Sequence, residues 1–467
     1  MASRLERLYL KAPNFIKMLL LNVRAYLNVR KRYTAKYYTY LETYINLWTA
    51  EKSAIAQYQN DKLVAFLLEC NNYVPYYIET FKRAGVSNQE IRNNPFDVLK
   101  RLPLLSKSDR KTKVSSLINT NPERETVEVG YTSGTSGSPT KNFLDRESIE
   151  RGFALWSRFH HTIGIKSSDR SVRFSGRLVV SPTASKPPFW IYNKVEDQLF
   201  MSSYHLSEKN IPHYIDKLNK FKPKFLDGYP SALYVIAKTS NALNIPIKYK
   251  PKAIATTAET LYDYQRAEIE KAFGCPVFNQ YASSEGSPFI TECISGNLHV
   301  NEDSGVFEFL NKNNSPAAPG EIARMVVTSF RNYKTPLIRY DIEDAVLLPE
   351  EDVHCDCGCQ MPVIEKIIGR EDDVLWTPEK GYIGRMDTAF KGLVGIVKSQ
   401  IIQQTPTSFI VNTIIDSSFT KQVEADFLKN LKDRLGYSSD IEIRIVNEIP
   451  LGANGKFVAV KRLFKIE

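Results

Sequence analysis

Residues 224–286 read KFLDGYPSALYVIAKTSNALNIPIKYKPKAIATTAETLYDYQRAEIEKAFGCPVFNQYASSEG, and the alternation within them decides the fold. KFLDG (224–228), KAIATTAE (252–259) and PVFNQY (276–281) are short apolar runs bounded by turn residues, the pattern of buried strands. PSALYVIAKTSNAL (230–243) and TLYDYQRAEIEKAF (260–273) lie between them with helical spacing. Strand and helix in turn predict an α/β layer with parallel strands. The alternation begins near residue 171.

Outward from this block the pattern changes. Downstream, LHVNED, GVFEFL, ARMVVTSF, LIRYDI and AVLLP fill 297–348 with short strand-like runs, a β-rich subdomain. After Gly369 come strands at SFIVNTII and IEIRIV with the helix TKQVEADFLKNLKDRL between them, enough for a small α+β domain. Upstream, a helix is expected at 146–163, a strand at TVEVGYT, and helices at 14–33 and 54–84, the latter interrupted at Pro75. The expected architecture is a large α/β domain with a β-rich subdomain and a small, mobile C-terminal α+β domain. The expected division is an N-terminal helical region at 1–84 packed on the main body, a large domain at 85–368 and a small one at 369–467.

With 467 residues, 43% apolar and 24% charged, the chain has the composition of a folded multidomain protein. No apolar run is long enough to cross a bilayer, and MASRLERLYLKAPNF lacks a signal-peptide layout, so a cytoplasmic location is expected. Residues 1–50 hold nine Lys or Arg against two Glu, much of the net charge of +10. Such an excess suits an acidic membrane surface, nucleic acid or a phosphorylated ligand; a solvated helix face is the preferred reading. In the 14–33 helix, Ile16, Leu19, Leu20, Val23 and Leu27 form an apolar stripe expected to dock on the main body.

Five segments carry chemistry. Gly130–Thr140, GYTSGTSGSPT, sets Gly134 and Gly137 among four hydroxyls, a setting for phosphate oxygens or a flexible surface loop. It lacks the Gly-Lys-Ser/Thr of a Walker A loop, which disfavours a P-loop kinase. Asn279–Gly286, NQYASSEG, follows a strand; its Glu285 can hold a phosphate-bound Mg²⁺ or be an ordinary loop glutamate. Pro336–Asp344, PLIRYDIED, closes a strand with acidic residues that can accept ribose hydroxyls. Gly369–Asp373, GREDD, suits an exposed hinge, and Gly452–Lys456, GANGK, puts a lysine on a glycine-flanked loop. No Cys–His or Ser–His–Asp arrangement stands out, so a covalent acyl-enzyme is not expected.

In this order and spacing, the five segments resemble those of the adenylate-forming superfamily of acyl-CoA synthetases, adenylation domains and luciferases. Within it the chain is most similar to the phenylacetate–coenzyme A ligase family, in the branch found with capsular polysaccharide biosynthesis. FLDGYPSALYVIA, IATTAETL, ECISGNLHVNED and CDCGCQMPVIEKIIGRED carry that likeness. The resemblance implies an AMP-forming ligase using ATP and Mg²⁺. Thr132, Ser133, Gly134, Thr135, Ser136 and Gly137 would wrap the phosphates, and Glu285 would bind Mg²⁺. Ala258, Glu259, Gln280, Tyr281 and Ser284 would line the adenine and acyl-phosphate site. Asp344, with Arg370 beside it, would hold the ribose; Lys456 would bridge the carboxylate and α-phosphate; Asp372 would be the hinge. The chain departs from the wider superfamily at Thr140, Ala282 and Glu343, the last replacing a glycine.

Cys293 and His299 (C-x₅-H) and Cys355 and Cys357 (C-x-C), with His354 and Cys359 adjacent, could form a structural Zn²⁺ site or remain unmetallated thiols. The acyl acceptor implied is a thiol, most simply coenzyme A, or an amine on a sugar or amino acid. A catalytically inactive scaffold is the contrasting possibility, against which Glu285, Asp344 and Lys456 argue. No nucleic-acid partner is expected, and peripheral membrane contact through the basic N-terminus stays open. The acid itself is not legible. Phe189, Trp190 and Tyr229 would suit an apolar or ring-shaped acid, whereas Arg173, Arg177 and Lys186 would suit an anionic sugar.

Overall fold

The computed structural model describes residues 9, 12–131, 141–175, 177, 179–181, 184–206, 209–258, 261–283, 285–370, 375–379, 381–383, 386–389, 393, 395–450 and 460–464. The described helices are α1 (Asn14–Arg32), α2 (Ala35–Trp48), α3 (Lys52–Tyr73), α4 (Pro75–Arg83), α5 (Asn88–Asn93), α6 (Pro95–Arg101), α7 (Lys107–Thr112), α8 (Arg146–Thr162), α9 (Ile211–Phe221), α10 (Pro230–Ala242), α11 (Asp263–Phe273) and α12 (Lys421–Leu435).

A hairpin of β1 (Glu128–Tyr131) and β2 (Lys141–Leu144) precedes α8. The main sheet then collects β3 (Ser171–Ser175), β4 (Trp190–Asn193), β5 (Gln198–Ser202), β6 (Phe225–Gly228), β7 (Ala253–Thr256), β8 (Val277–Ala282), β9 (Phe289–Glu292), β10 (Leu298–Val300) and β14 (Val363–Ile364). Its order is β14-β10-β9-β8-β7-β6-β3-β5-β4. Strands β5, β3, β6, β7 and β8 run parallel, as expected from the sequence. Both edges are antiparallel, which the sequence did not indicate.

The sheet is covered on both faces. Phe225, Ala253, Ala255 and Phe278 pack against α8 and α2, whereas Leu226, Ile254 and Val277 meet α9, α10 and α11. Burial on both sides explains why these strands read as continuous apolar runs. Local chemistry sets the helix ends. Asp145 caps α8 by accepting the Ser148 N–H at 2.8 Å, and Gly274 ends α11 in the left-handed region at φ +65°.

A second, antiparallel sheet holds β11 (Gly305–Leu310), β12 (Ile322–Ser329), β13 (Tyr340–Leu347) and β15 (Lys366–Arg370). Its core is shared with Leu63, Phe66 and Leu67 of α3 and Tyr77 and Phe81 of α4. Two expectations change here. LHV, read as part of the β-rich region, is β10 of the main sheet, because it pairs with β9 through Leu298 and Glu292. LIRYDI and AVLLP contribute to one strand, β13, with a break in register opposite Arg324–Val326.

Beyond these, β16 (Leu375–Thr377) and β17 (Gly381–Ile383) form a ribbon. A four-stranded sheet follows, ordered β20 (Asp440–Ile445), β19 (Ser408–Ile415), β18 (Ile396–Thr405) and β21 (Val460–Arg462). Phe427, Leu431 and Leu435, one stripe of α12 at i, i+4, i+8, bury against Ile401, Phe409 and Val411.

The stripe on α1 does not dock as expected. Phe15 and Leu19 are 68% and 63% exposed, and Val23, Tyr26 and Leu27 are also in solvent. The helix attaches by its other face: Asn22 Nδ2 donates to the Tyr192 carbonyl at 3.1 Å, and Lys17 and Ala25 are buried. Among the described residues no helix is long and apolar enough to cross a membrane.

Candidate active site at the carboxyl ends of the central strands

At and just after the carboxyl ends of β7 and β8 lie Ala258, Gln280, Tyr281 and Glu285, four of the residues that the sequence singled out. After β8 the chain turns sharply, with the Gly286 N–H on the Ser283 carbonyl at 3.2 Å. Glu285 lies in this turn and is nearly buried. Arg110 Nη1 of α7 donates to its Oε1 at 3.3 Å, while Nη2 donates to Asn142 Oδ1 on β2 and the guanidinium lies over the Tyr340 ring at 5.5 Å. Arg110 thus ties Glu285 to the hairpin β1–β2 and to β13. Nothing in KSDRK marks Arg110 off from its neighbours, so no local signal points to it. Burial, then the Glu285 charge, pushes the Tyr340 phenol above its ordinary range.

Tyr281 Oη donates to Asp344 Oδ2, so two separately read motifs meet. The β13–β15 register sets Asp344 opposite Arg370. Gln280 is on the other side of β8. By strand alternation it shares the α8 face with Phe278, and among the described residues neither of its amide atoms has a hydrogen-bond partner. Ala258 follows β7 on the exposed rim with φ +66°, a conformation costly for a residue with a Cβ. Thr132, Ser133, Gly134, Thr135, Ser136, Gly137, Glu259, Ser284, Asp372 and Lys456 lie outside the described residues, as does the side chain of Arg370.

Beside this rim is a cleft of about 370 Å³ lined by Arg173, Phe174, Ser175, Arg177, Asp227, Tyr229 and Thr257. Arg173 Nη2 meets the buried Asp227 Oδ2 at 2.6 Å. Burial raises the Asp227 carboxyl, opposed by Arg173. Of the three aromatics expected near the acid, only Tyr229 lines the cleft. Phe189 stacks in the core on His205 and Tyr214, and Trp190 packs edge-on against Tyr214.

The four expected zinc ligands do come together. Cys293 Sγ and Cys355 Sγ are 3.5 Å apart, Cys357 Sγ and His299 Nε2 are 3.4 Å apart, and all four donor atoms lie within 4.8 Å of one another. Ligand pairs of a tetrahedral thiolate–imidazole Zn²⁺ site are separated by roughly 3.5–3.8 Å, so the set fits. His299 Nδ1 lies 2.9 Å from the Met361 carbonyl, which leaves Nε2 to face the sulfurs. Asn297 Nδ2 and the Cys359 N–H approach Cys355 and Cys357 at 3.1 and 3.5 Å. Cys293, Cys355 and Cys359 are buried.

Over 456 residues, 97% of this chain and 98% of the relative, the sequence is 32% identical to Protein CapK of Staphylococcus aureus. The chain belongs to the CapK branch of the phenylacetate–coenzyme A ligase-like family, in the adenylate-forming superfamily. A phenylacetate-coenzyme A ligase of Thermus thermophilus is 24% identical, over 69% of this chain and 71% of its own. Residues 375–463 match the model of the CapK C-terminal domain. The fold is shared with a crystal structure of 2-hydroxyisobutyryl-CoA ligase in the postadenylation state, at TM-score 0.59 and 17% identity, covering 89% of this chain and 91% of that one.

The CapK-branch chain departs from the superfamily at Glu343, and the backbone there keeps the conformation that a glycine favours, at φ +60°. The side chain reaches Lys107 Nζ at 3.1 Å in a half-exposed ion pair. Glycine at 343 is therefore expected to give a more stable protein than alanine at 343, by about 1 kcal/mol, because both lose the ion pair and only alanine keeps the strain. Urea denaturation of Glu343→Gly and Glu343→Ala checks this. The usual strand order, alanine above glycine, would contradict it.

Proposed function

We propose that this chain is an ATP-dependent, AMP-forming ligase that activates a carboxylic acid and passes the acyl group to a thiol, most simply coenzyme A, or to an amine. The observation that carries the reading is the convergence of Glu285, Tyr281 and Asp344, from two motifs, at the carboxyl end of β8. That end is where open α/β sheets bind ligands.

In this reading a carboxylate oxygen attacks the α-phosphorus, pyrophosphate leaves, and an acyl-adenylate remains. The acceptor then attacks the acyl carbon and AMP departs. Residues 132–137 wrap the phosphates. Glu285, held in place by Arg110, would carry Mg²⁺, which would supply charge neutralisation for the phosphates. Ala258, Glu259, Tyr281 and Ser284 border the adenine and acyl phosphate, with Gln280 below them. Asp344 receives the ribose hydroxyls beside Arg370. Lys456 meets the charge that builds during attack, the term that most often dominates catalysis. Asp372 is the hinge between a body of 1–368, including the helical region 1–84, and a small domain of 369–467. A cytoplasmic place and a role in capsule or surface-polysaccharide synthesis rest on family membership. Carboxylate-dependent pyrophosphate release is the test: it should appear with one acid class and fall about a hundredfold or more in Lys456→Ala. Absence of both release and ATP binding would overturn the reading.

Cys293, His299, Cys355 and Cys357 hold a structural Zn²⁺ in this proposal, fastening β9 and β10 to the loop before β14. Their donor spacing supports it. Protein purified without chelator should carry one zinc per chain, and Cys355→Ser should lose most of it. Substoichiometric zinc in every preparation would count against the site.

We also infer that α1 rests on an anionic membrane surface. Its exposed Phe15, Leu19, Val23 and Leu27 run beside exposed Arg30 and Lys31, and residues 14–32 contain no Asp or Glu. Cosedimentation with phosphatidylglycerol vesicles should exceed that with phosphatidylcholine and fall with Leu19→Glu. Equal recovery from both lipids, or none, would exclude it.

A further inference from the structure

The cleft beside the strand ends has a lining whose chemistry is specific. The register sets Arg173, Asp227, Ala255 and Phe278 in one row across β3, β6, β7 and β8. By alternation the next row outward on that face is Ser175, Tyr229, Thr257 and Gln280. His160 of α8 packs its ring on Phe225 at 4.8 Å, which puts α8 over the same face.

Polar atoms here lack partners. Asp227 Oδ2 is held by Arg173, but the buried Oδ1 has no hydrogen bond among the described residues. Neither does Ser175 Oγ, His160 Nε2 or either amide atom of Gln280. Burial, and then the Arg173 charge, pushes His160 down to about 3, so it is neutral and adds no counter-charge. Polar groups left unmade in a protein interior are expensive, and a ligand that meets them recovers that cost.

The mouth of the cleft is cationic. Arg177 lines it and makes no ion pair among the described residues. Its charged form is disfavoured by burial and then by Arg173, Arg32 and Arg24, with Glu196 opposing. Arg32 is 3.8 Å from Glu196 and Arg173 is paired with Asp227. Of the charged groups, Arg173, Arg177 and Asp227 line the cleft itself, two guanidinium groups to one carboxylate. Phe189 and Trp190 are committed to the core, which leaves Phe174 and Tyr229 as the aromatic lining against the polar Arg173, Ser175, Arg177, Asp227 and Thr257.

We propose that the acid activated here is a hydroxylated acid with a second anionic group, held at the cleft mouth by Arg177 and Arg173, its hydroxyls reaching Asp227 Oδ1 and Ser175 Oγ. This rests on the ligase reading. The shared chemistry is found in a sugar acid bearing a phosphate and in a hydroxylated diacid, and the two are separate arms of the test.

The experiment measures ATP–pyrophosphate exchange and, without ATP, direct binding by calorimetry. The probes are glucuronic acid 1-phosphate, glucaric acid, glucuronic acid and phenylacetate. One or both of the first two should exceed the last two in kcat/KM by about tenfold or more. Arg177→Gln should raise KM for the preferred dianion by a similar factor, with kcat nearly unchanged, and raise it clearly less for the singly charged acids. Arg177→Lys should restore part of the loss, and added salt should weaken dianion binding. Preference for phenylacetate, or an equal effect of Arg177→Gln on every acid, overturns the proposal. If no acid supports exchange and ATP does not bind, the ligase reading fails separately. Calorimetry then decides the cleft: dianion binding lost in Arg177→Gln sustains it, and no dianion binding to the wild type overturns it.

Discussion

The Arg110–Glu285 contact is the interaction on which the arrangement of the site depends. Arg110 is almost wholly buried, and so are the groups around it. A buried cation without its carboxylate is costly, so α7, the turn after β8, and β2 are held at fixed separation. That separation brings the end of the hairpin β1–β2 to the carboxyl end of the main sheet. The phosphate segment connects those two hairpin strands, and the carboxylate proposed for Mg²⁺ stands in the turn.

Other buried charges fasten the body behind the site. Arg158 of α8 and Asp303 are both fully buried, with Nη1 and Oδ2 at 3.0 Å and the guanidinium 4.7 Å over the Trp48 ring. This pair links α8 and α2 to the turn that leads into β11. The cysteine–histidine cluster does similar work at the sheet edge, joining the β9–β10 hairpin to the segment around Met361. Rigid joints on both sides leave the strand ends as a stable rim.

Family membership and site chemistry point to different levels of specificity. The Tyr281–Asp344 link and the opposed Asp344 and Arg370 positions belong to the machinery that handles nucleotide in the proposed reaction. In the proposed reaction the cleft of Arg173, Arg177 and Asp227 is the part that takes the acid. The Thermus thermophilus relative named for phenylacetate is 24% identical over 69% of this chain, which leaves room for a different pocket.

By itself the sequence determined the strand and helix order of 224–286, the β-rich segment, the small terminal unit and the five motifs. These are set by periodicity, turn residues and composition, which act over a few neighbouring positions. It also brought out Cys293, His299, Cys355 and Cys357 as one group, since their residue types are uncommon. Only the tertiary structure decided the rest. Arg110 reaches Glu285 across a long stretch of chain, and no local pattern encodes that pairing. β10 joined the main sheet through its register with β9, and Glu343 occupies left-handed backbone because a bulge in β13 requires it. The stripe on α1 faces solvent because Asn22 and Ala25, on the opposite face, make the attachment. Whether Phe189 or Arg177 lines the cleft depended on how the chain before β4 and after β3 packed on distant elements. Alternation fixes which neighbours share a face, but only packing between distant elements fixes which face is the interior.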